Sequence, residues 1–207
     1  MKIYLSNGAP NPRRVQMFMV EKGINQIETV PIDLNAQEHR SAQYLAISPL
    51  AKVPALVLDD GRALTESRAI CTYLEGVHPE PNLMGVDATE RAFIEMADRR
   101  AELELLATVA YCVRHTHPGL AVLEPEQFGD FGRAQGAKVR RAAVWFDAYL
   151  GKHEWLAADR FTVADITAFC AIEFARLMRF NAGREGFGAL QAWRDRVAAR
   201  PSAAMKT

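Results

Sequence analysis

The stretch from residue 52 to residue 70 constrains the fold more than any other part of the chain. It begins with Val53-Pro54, continues as an apolar run, and reaches an Asp60-Gly61 pair that is typical of a tight hairpin turn. A second short apolar segment follows, and a helix is predicted to begin near Ser67. The stretch therefore predicts strand, turn, strand and helix in immediate succession.

Both ends of this predicted hairpin offer groups that can hold a ligand. Pro54 has no N–H, and a cis bond before it would turn the backbone N–H and C=O of Val53 outward. The following helix has unpaired N–H groups in its first turn, which favour a carboxylate, and Ser67 adds a hydroxyl donor. The sequence thus predicts a strand-like pairing site beside an anion site.

These residues resemble the glutathione-binding half of the cytosolic glutathione transferases. The resemblance implies that Val53, preceded by Lys52 and followed by Pro54, pairs through its backbone with the cysteinyl part of glutathione. It also implies that Glu66 and Ser67 hold the γ-glutamyl ammonium and carboxylate groups, and that Lys52 holds the glycyl end. The alternative is an ordinary β-hairpin followed by a capped helix, which any single part of the pattern also fits.

The order of elements before residue 78 indicates an α/β lobe. Residues 2–5 alternate as a strand, residues 27–33 form another, and a helix with regularly spaced apolar residues lies between them. Residues 36–45 form a short helical connection to the hairpin. This order is that of a thioredoxin-like α/β lobe, which we assign to residues 1–78 as the glutathione-binding domain.

A linker rich in helix-breaking residues, 79–87, precedes a segment that is helical throughout. We predict an all-helical bundle domain over residues 88–207, with its first long helix running to about residue 117. A further helix, over residues 163–178, is apolar nearly all round and is predicted to be the centre of the bundle. On the helix that begins at residue 88, the regularly spaced apolar residues are Leu103, Leu106, Ala110 and Val113.

The start of this central helix carries a strong local signal. Thr162 and Asp165 have the spacing of a capping box, in which each side chain bonds the other residue's backbone N–H. Phe161 and Ile166 have the spacing of a hydrophobic staple across the same turn. We assign these residues to folding and not to chemistry.

Composition excludes some classes of function. Lys plus Arg and Asp plus Glu number 25 each, so no net charge directs the protein to nucleic acid or to an anionic membrane. The chain begins directly with a strand pattern and has no long apolar run, so we expect a cytoplasmic protein. Cys71, Cys112 and Cys170 lack metal-ligand spacing and are predicted to be buried thiols, and the resemblance implies glutathione as co-substrate without a metal.

The hydroxyl group that usually activates the glutathione thiol in this family is absent from its expected position in this sequence. A free thiol has a pKa of about 8.5 and is mostly protonated at neutral pH. Members of the family commonly lower it with Tyr, Ser or Cys after the first strand, but that position falls near Ala9. Asn11 can donate a hydrogen bond to the thiolate, or it is a turn residue between two prolines; Ser6 is a second candidate, or it simply ends the strand.

A third candidate lies in the helical domain. Helical spacing places Tyr111, Arg114 and His115 on one arc, and His115 can orient a water molecule toward the sulfur. The run from Arg114 to Pro118, together with residues 11–15, looks like the bacterial relatives of an atypical yeast group thought to use a histidine-held water. The alternative is a histidine that interacts with the carbonyl groups at a helix end.

The resemblance implies a homodimeric glutathione transferase that joins the glutathione thiolate to a small hydrophobic electrophile. Tyr111 and Arg114 would contact the electrophile. Two other functions remain open: a glutathione-dependent disulfide or peroxide reductase, which Asn11 allows, and a non-catalytic binding protein of the same fold, which the missing hydroxyl favours.

Overall fold

A computed structural model describes residues 1–204 of the chain. The chain folds as two compact units, Met1–Asn82 and Leu83–Ala203. The division lies within the predicted linker, and the last three residues of the predicted helical domain, 205–207, lie outside the described part.

The first unit is built on a four-stranded mixed sheet in the order β2-β1-β3-β4. β1 runs parallel to β2 and antiparallel to β3, and β4 closes the hairpin with β3. This is the predicted thioredoxin-like arrangement. The elements are β1 Lys2–Leu5, α1 Pro10–Glu21, β2 Glu28–Pro31, α2 Ala42–Leu45, β3 Ala55–Val57, β4 Ala63–Thr65 and α3 Ser67–Val77.

The core of this unit forms between the sheet and the two longer helices. Ile3 and Leu56 from the strands, Phe18 from α1, and Ile70 and Leu74 from α3 are completely buried. Two predicted strands are shorter in the structure than in the sequence pattern. β3 begins only after Pro54, which cannot donate to a ladder, and β2 spans only Glu28–Pro31, although the Ile32 N–H still donates to the Leu5 carbonyl at 2.7 Å.

The second unit is all-helical, as predicted. Its elements are α4 Ala88–Arg100, α5 Ala107–Thr116, α6 Gly129–Leu150, α7 Val163–Phe174 and α8 Gly188–Ala198. None of the helices in the described part of the chain is long and apolar enough to cross a membrane.

The predicted helix over residues 88–117 is continuous in the structure, but its middle is not α-helical. A π-helical segment, Ala101–Leu106, separates α4 from α5. A π-helical turn contains more residues than an α-helical turn, so it rotates the apolar stripe around the axis. As a result Leu103, which belongs to the predicted buried stripe, is 60% exposed, whereas Leu106 and Val113 are buried.

Helix α7 is the centre of the second unit. All of its residues from Val163 to Ile172 are buried. The predicted capping box is present, because the Thr162 N–H donates to Asp165 Oδ2 at 3.0 Å and the Thr162 side chain accepts from the backbone N–H of Asp165. The α-helix ends at Phe174 and continues as a 3₁₀ turn to Met178, so the predicted span is confirmed with a tighter last turn.

Candidate functional site

Strand register brings several predicted site residues to one end of the sheet. Tyr4 of β1 lies opposite Ala55 of β3, which in turn lies opposite Thr65 of β4. The residues after β1, before β3 and after β4 therefore share this end. Ser6, which is buried, and Val53 stand here beside the first turn of α3.

The Val53-Pro54 segment presents an unused backbone edge. The peptide bond between the two residues is cis. Among residues 1–204, no hydrogen bond is made by the N–H or the C=O of Val53. A backbone donor and acceptor side by side at the end of a sheet can pair with an extended peptide as another strand does.

The loop is held from behind by two hydroxyl groups. The Lys52 carbonyl accepts from Tyr44 Oη at 2.7 Å and from Ser48 Oγ at 2.9 Å, and the Lys52 N–H donates to Ser48 Oγ at 3.2 Å. Burial raises the pKa of the Tyr44 phenol to about 12, so this hydroxyl remains a donor at neutral pH. The backbone of Lys52 is thus fixed, while its side chain is exposed.

Glu66 has a backbone conformation that few residues with a side chain adopt. Its φ is 67° and its ψ is 114°, and it is the residue that precedes the first turn of α3. Such a conformation costs on the order of 1–3 kcal/mol and is concentrated at functional sites. No side chain caps α3, and its first turn carries no acidic residue, so its N-terminus is suited to an anion.

Ser67 is part of a hydrogen-bond chain that joins both predicted functions of this end. Buried Arg14 donates from Nη1 to Ser67 Oγ at 3.1 Å, and the Ser67 hydroxyl donates to Asn11 Oδ1 at 3.3 Å. The structure therefore brings the predicted anion-binding hydroxyl and the predicted thiol activator into direct contact. Asn11 itself is exposed in the first turn of α1.

Arg14 was missed by the sequence analysis. It is completely buried, although the pair Arg13-Arg14 reads as a polar surface. The signal was its position, because Arg14 lies four residues before Phe18 and so on the apolar face of α1. A charged residue on such a face needs a polar partner inside the protein.

In the second unit, Phe131 brings two predicted residues together. Its ring lies edge-on to Tyr111 at 5.9 Å and to His115 at 5.2 Å between centroids. The third predicted residue of the arc, Arg114, pairs with Glu124 at 3.7 Å. Tyr111, Phe128 and Phe131 are all exposed, so they form an aromatic surface of which the sequence analysis identified only Tyr111.

His115 is fixed in one neutral form by the start of α6. Its Nδ1 accepts from the Phe128 N–H at 3.3 Å, so the ring proton lies on Nε2, which is a donor. The last carbonyls of α5 are bonded instead by Gln127, whose side-chain amide donates to the carbonyls of Arg114 at 2.7 Å and His117 at 3.0 Å. The structure thus does not support the alternative of a histidine that bonds the helix-end carbonyls.

A metal centre does not emerge from the structure. Within residues 1–204, no group of three or more His, Cys, Asp or Glu side chains is placed to hold a metal ion. The three cysteines are buried and none is part of a disulfide, as predicted for core thiols.

Comparisons with known proteins give one family over the whole chain. The family model "Glutathione S-transferase, N-terminal domain" matches residues 9–77, and "Glutathione S-transferase, C-terminal domain" matches residues 130–201. The chain is 35% identical over 204 residues to glutathione S-transferase 2 of Saccharomyces cerevisiae. The aligned region covers 98% of this chain and 87% of that protein.

Solved structures give the same result. A glutathione S-transferase domain-containing protein from Marinobacter aquaeolei has a TM-score of 0.93 and 41% identity, over 99% of this chain and 100% of that one. Gtt2 from Saccharomyces cerevisiae has a TM-score of 0.92 and 35% identity, over 98% of each chain. The resemblance drawn from the sequence, including the likeness to the atypical yeast group, is confirmed.

Proposed function

Because the chain belongs to the glutathione S-transferase family of enzymes, we propose that it joins the thiolate of glutathione to small hydrophobic electrophiles. The observation that carries this proposal is the unused backbone edge of Val53, adjacent to the uncapped N-terminus of α3. Glutathione is an extended peptide with a charged γ-glutamyl end, so it needs a strand-like partner and an anion site at a short distance from each other.

In this proposal each part of glutathione meets a different element. Val53, oriented by Pro54, pairs with the cysteinyl backbone, and Lys52 holds the glycyl carboxylate. Glu66, held with its side chain exposed at the start of α3, binds the γ-glutamyl ammonium group. The γ-glutamyl carboxylate lies at the first turn of α3, at Ser67.

Asn11 is the proposed activator of the thiol. It is exposed at the start of α1, where the helix N-terminus also favours negative charge, and its amide group can donate to a thiolate. His115 is the second candidate, because its Nε2–H can hold a water molecule. Ser6 is the third, although it is buried at the end of β1.

The aromatic surface of Tyr111, Phe128 and Phe131 is the proposed contact for the electrophile, with Arg114 at its edge. Aromatic rings at a partly open site bind flat apolar compounds through stacking and edge contacts. We place the activity in the cytoplasm, where glutathione is reduced and where three buried cysteine thiols outside any disulfide are stable.

The experiment that tests this function is a pH titration of glutathione bound to the protein, followed by thiolate absorbance. We expect the pKa of the bound thiol to lie at least about one unit below the free value of about 8.5. Asn11→Ala is expected to move the pKa back toward the free value, and Asn25→Ala, an exposed asparagine outside the site, serves as its control.

The same titration separates the candidates and the other functions. If His115→Ala, but not its control His153→Ala, raises the pKa, the activator is the histidine. A bound thiol with an unshifted pKa indicates a non-catalytic glutathione-binding protein. Faster turnover of a disulfide or a hydroperoxide than of an aromatic halide indicates a reductase.

We further propose that the enzyme is a homodimer. Leu50 is 73% exposed, on a loop whose next residue, Ala51, has a φ of 53° and donates its N–H to the Ser48 carbonyl at 2.9 Å. The second unit has a cavity of about 500 Å³ whose lining includes the aromatic side chains of Phe93 and Trp145 and the charged side chains of Glu90, Arg100 and Asp159. A second copy of the chain would cover both features in a two-fold arrangement.

A further inference from the structure

A hydrogen-bond chain leads from a buried cation to an exposed amide in the first unit. Arg14 is 0% exposed and Ser67 is 5% exposed, whereas Asn11 reaches solvent. The two bonds of the chain, Arg14 Nη1 to Ser67 Oγ and Ser67 Oγ to Asn11 Oδ1, measure 3.1 and 3.3 Å. These two hydrogen bonds join Ser67, at the start of α3, to two residues of α1.

The chemistry of the three groups sets the direction of this chain. A guanidinium group has only donors, so Ser67 Oγ must accept from Arg14. The hydroxyl proton of Ser67 is then directed to its other neighbour, Asn11, which must present its carbonyl oxygen. The Nδ2 group of Asn11 is consequently on the branch that points away from Ser67.

We propose that Arg14 is a positioning residue that acts through Ser67 to hold Asn11 with its N–H group available to the glutathione sulfur. This inference rests on the proposed function, in which Asn11 stabilises the thiolate. An amide that turns freely presents its oxygen to the sulfur as often as its nitrogen, and the oxygen repels a thiolate. A fixed donor stabilises the charge without a cost of reorientation.

The burial and charge of Arg14 strengthen the hydrogen bonds that hold the Asn11 amide. Hydrogen bonds from a charged donor are shorter and stronger than neutral ones, and a buried pair is little screened by salt. With its proton committed to Asn11, Ser67 leaves the γ-glutamyl carboxylate mainly to the backbone N–H groups at the start of α3. The γ-glutamyl carboxylate and the cysteinyl sulfur of glutathione are therefore served by neighbouring donors that do not compete.

The first test compares Arg14→Met with Arg14→Lys at saturating glutathione. Arg14→Met is expected to raise the pKa of the bound thiol and to lower kcat at neutral pH by about tenfold, a typical effect of losing a hydrogen bond to a charged group. The difference in kcat should close at alkaline pH, where the thiol ionises without help. Arg14→Lys retains a cationic donor and should restore most of the effect.

A double-mutant cycle decides whether Arg14 acts through Asn11. In an Asn11→Ala background, Arg14→Met should leave the thiol pKa unchanged. A further rise there means that the arginine charge acts on the sulfur directly, which overturns the proposal. If Asn11→Ala raises the pKa and Arg14→Met in the otherwise natural chain does not, the positioning role fails while the proposed function stands. An unshifted thiol in the natural protein contradicts the proposed function itself.

Ser67 provides a second route if Arg14→Met does not fold. Ser67→Ala breaks the same chain by removing a single oxygen atom, and Ser67→Thr keeps the hydroxyl. The thiol pKa of each variant is compared at saturating glutathione, so that a change in affinity does not enter the comparison. A raised pKa in Ser67→Ala with a near-normal value in Ser67→Thr supports the proposal, and equal values in both variants overturn it.

Discussion

At the scale of single residues, Glu66 shows how the site is maintained at the expense of local stability. Its φ of 67° is accessible to glycine but strained for any residue with a Cβ atom. We predict that Glu66→Gly makes the free protein about 1 kcal/mol more stable than Glu66→Ala. Both variants should lose glutathione affinity, because both lack the carboxylate that we assign to the ammonium group.

Urea unfolding and calorimetric titration with glutathione measure the two effects separately. The Gly and Ala variants form a matched pair, since they lack the same side chain and differ mainly in backbone freedom. Equal stability of the two variants would mean that the Glu66 backbone relaxes at no cost. An unchanged affinity in either would remove Glu66 from the proposed site.

Residues also mark the limit of what the sequence predicts here. Val53, Glu66 and Ser67 are recognisable because they are neighbours in the chain, and their spacing carries the pattern. The hydrogen bonds that connect Arg14, Ser67 and Asn11 cannot be recognised in the sequence, because they depend on the packing of α1 against α3. His115 was singled out from its position, but its tautomer depends on a contact with the first residues before α6.

At the scale of elements, the start of α7 is a folding device. Thr162 bonds reciprocally with Asp165, so it satisfies N–H groups that the first helical turn leaves unpaired. We predict that Thr162→Ala lowers the free energy of unfolding by about 1 kcal/mol. Thermal or urea unfolding measures this loss, and the thiol pKa and kcat of the folded variant should not change. Altered kcat would contradict the assignment of α7 to folding alone.

Asp165 gives the same element a dependence on pH. Burial raises the pKa of its carboxyl group to about 6, although hydrogen bonds from Trp193, Leu156 and Thr162 each lower it. Between the unfolded pKa of about 3.9 and this value, the folded state binds the extra proton. The contribution of Asp165 to stability therefore falls as the pH rises through this window, by on the order of 3 kcal/mol.

Unfolding free energies of the natural protein and of Asp165→Asn between pH 4 and pH 7 measure this contribution. The asparagine does not titrate, so the stability advantage of the natural chain over the variant should shrink as the pH rises from 4 to 6 and then stay level. An advantage that grows over this range would show that the four donors outweigh burial and hold the carboxylate ionised.

The elements also show which predictions a sequence supports. The capping box and the staple are local, and the structure contains them where the sequence places them. The π-helical segment Ala101–Leu106 has no such local signal, because a regular apolar stripe predicts an α-helix throughout. A π-helical turn depends on tertiary packing. The exposure of Leu103 could therefore not be predicted from the sequence pattern.

At the scale of the whole molecule, the surface has apolar features that a single copy does not explain. Leu50 and Phe93 are both more than half exposed, and the cavity near Phe93 is open to a partner. These exposed residues are the basis of the two-fold homodimer that we propose.

Leu50 is the residue through which this dimer is best tested. We predict that Leu50→Glu raises the dimer dissociation constant at least about thirtyfold, because a buried interface anchor contributes roughly 2 kcal/mol or more and an unpaired carboxylate is costly to bury. Leu50→Met conserves volume and should stay dimeric. Phe93→Asp changes the other side of the proposed contact and should also dissociate. Sedimentation velocity across a concentration series measures all three, and a Leu50→Glu protein that remains fully dimeric would place the interface elsewhere.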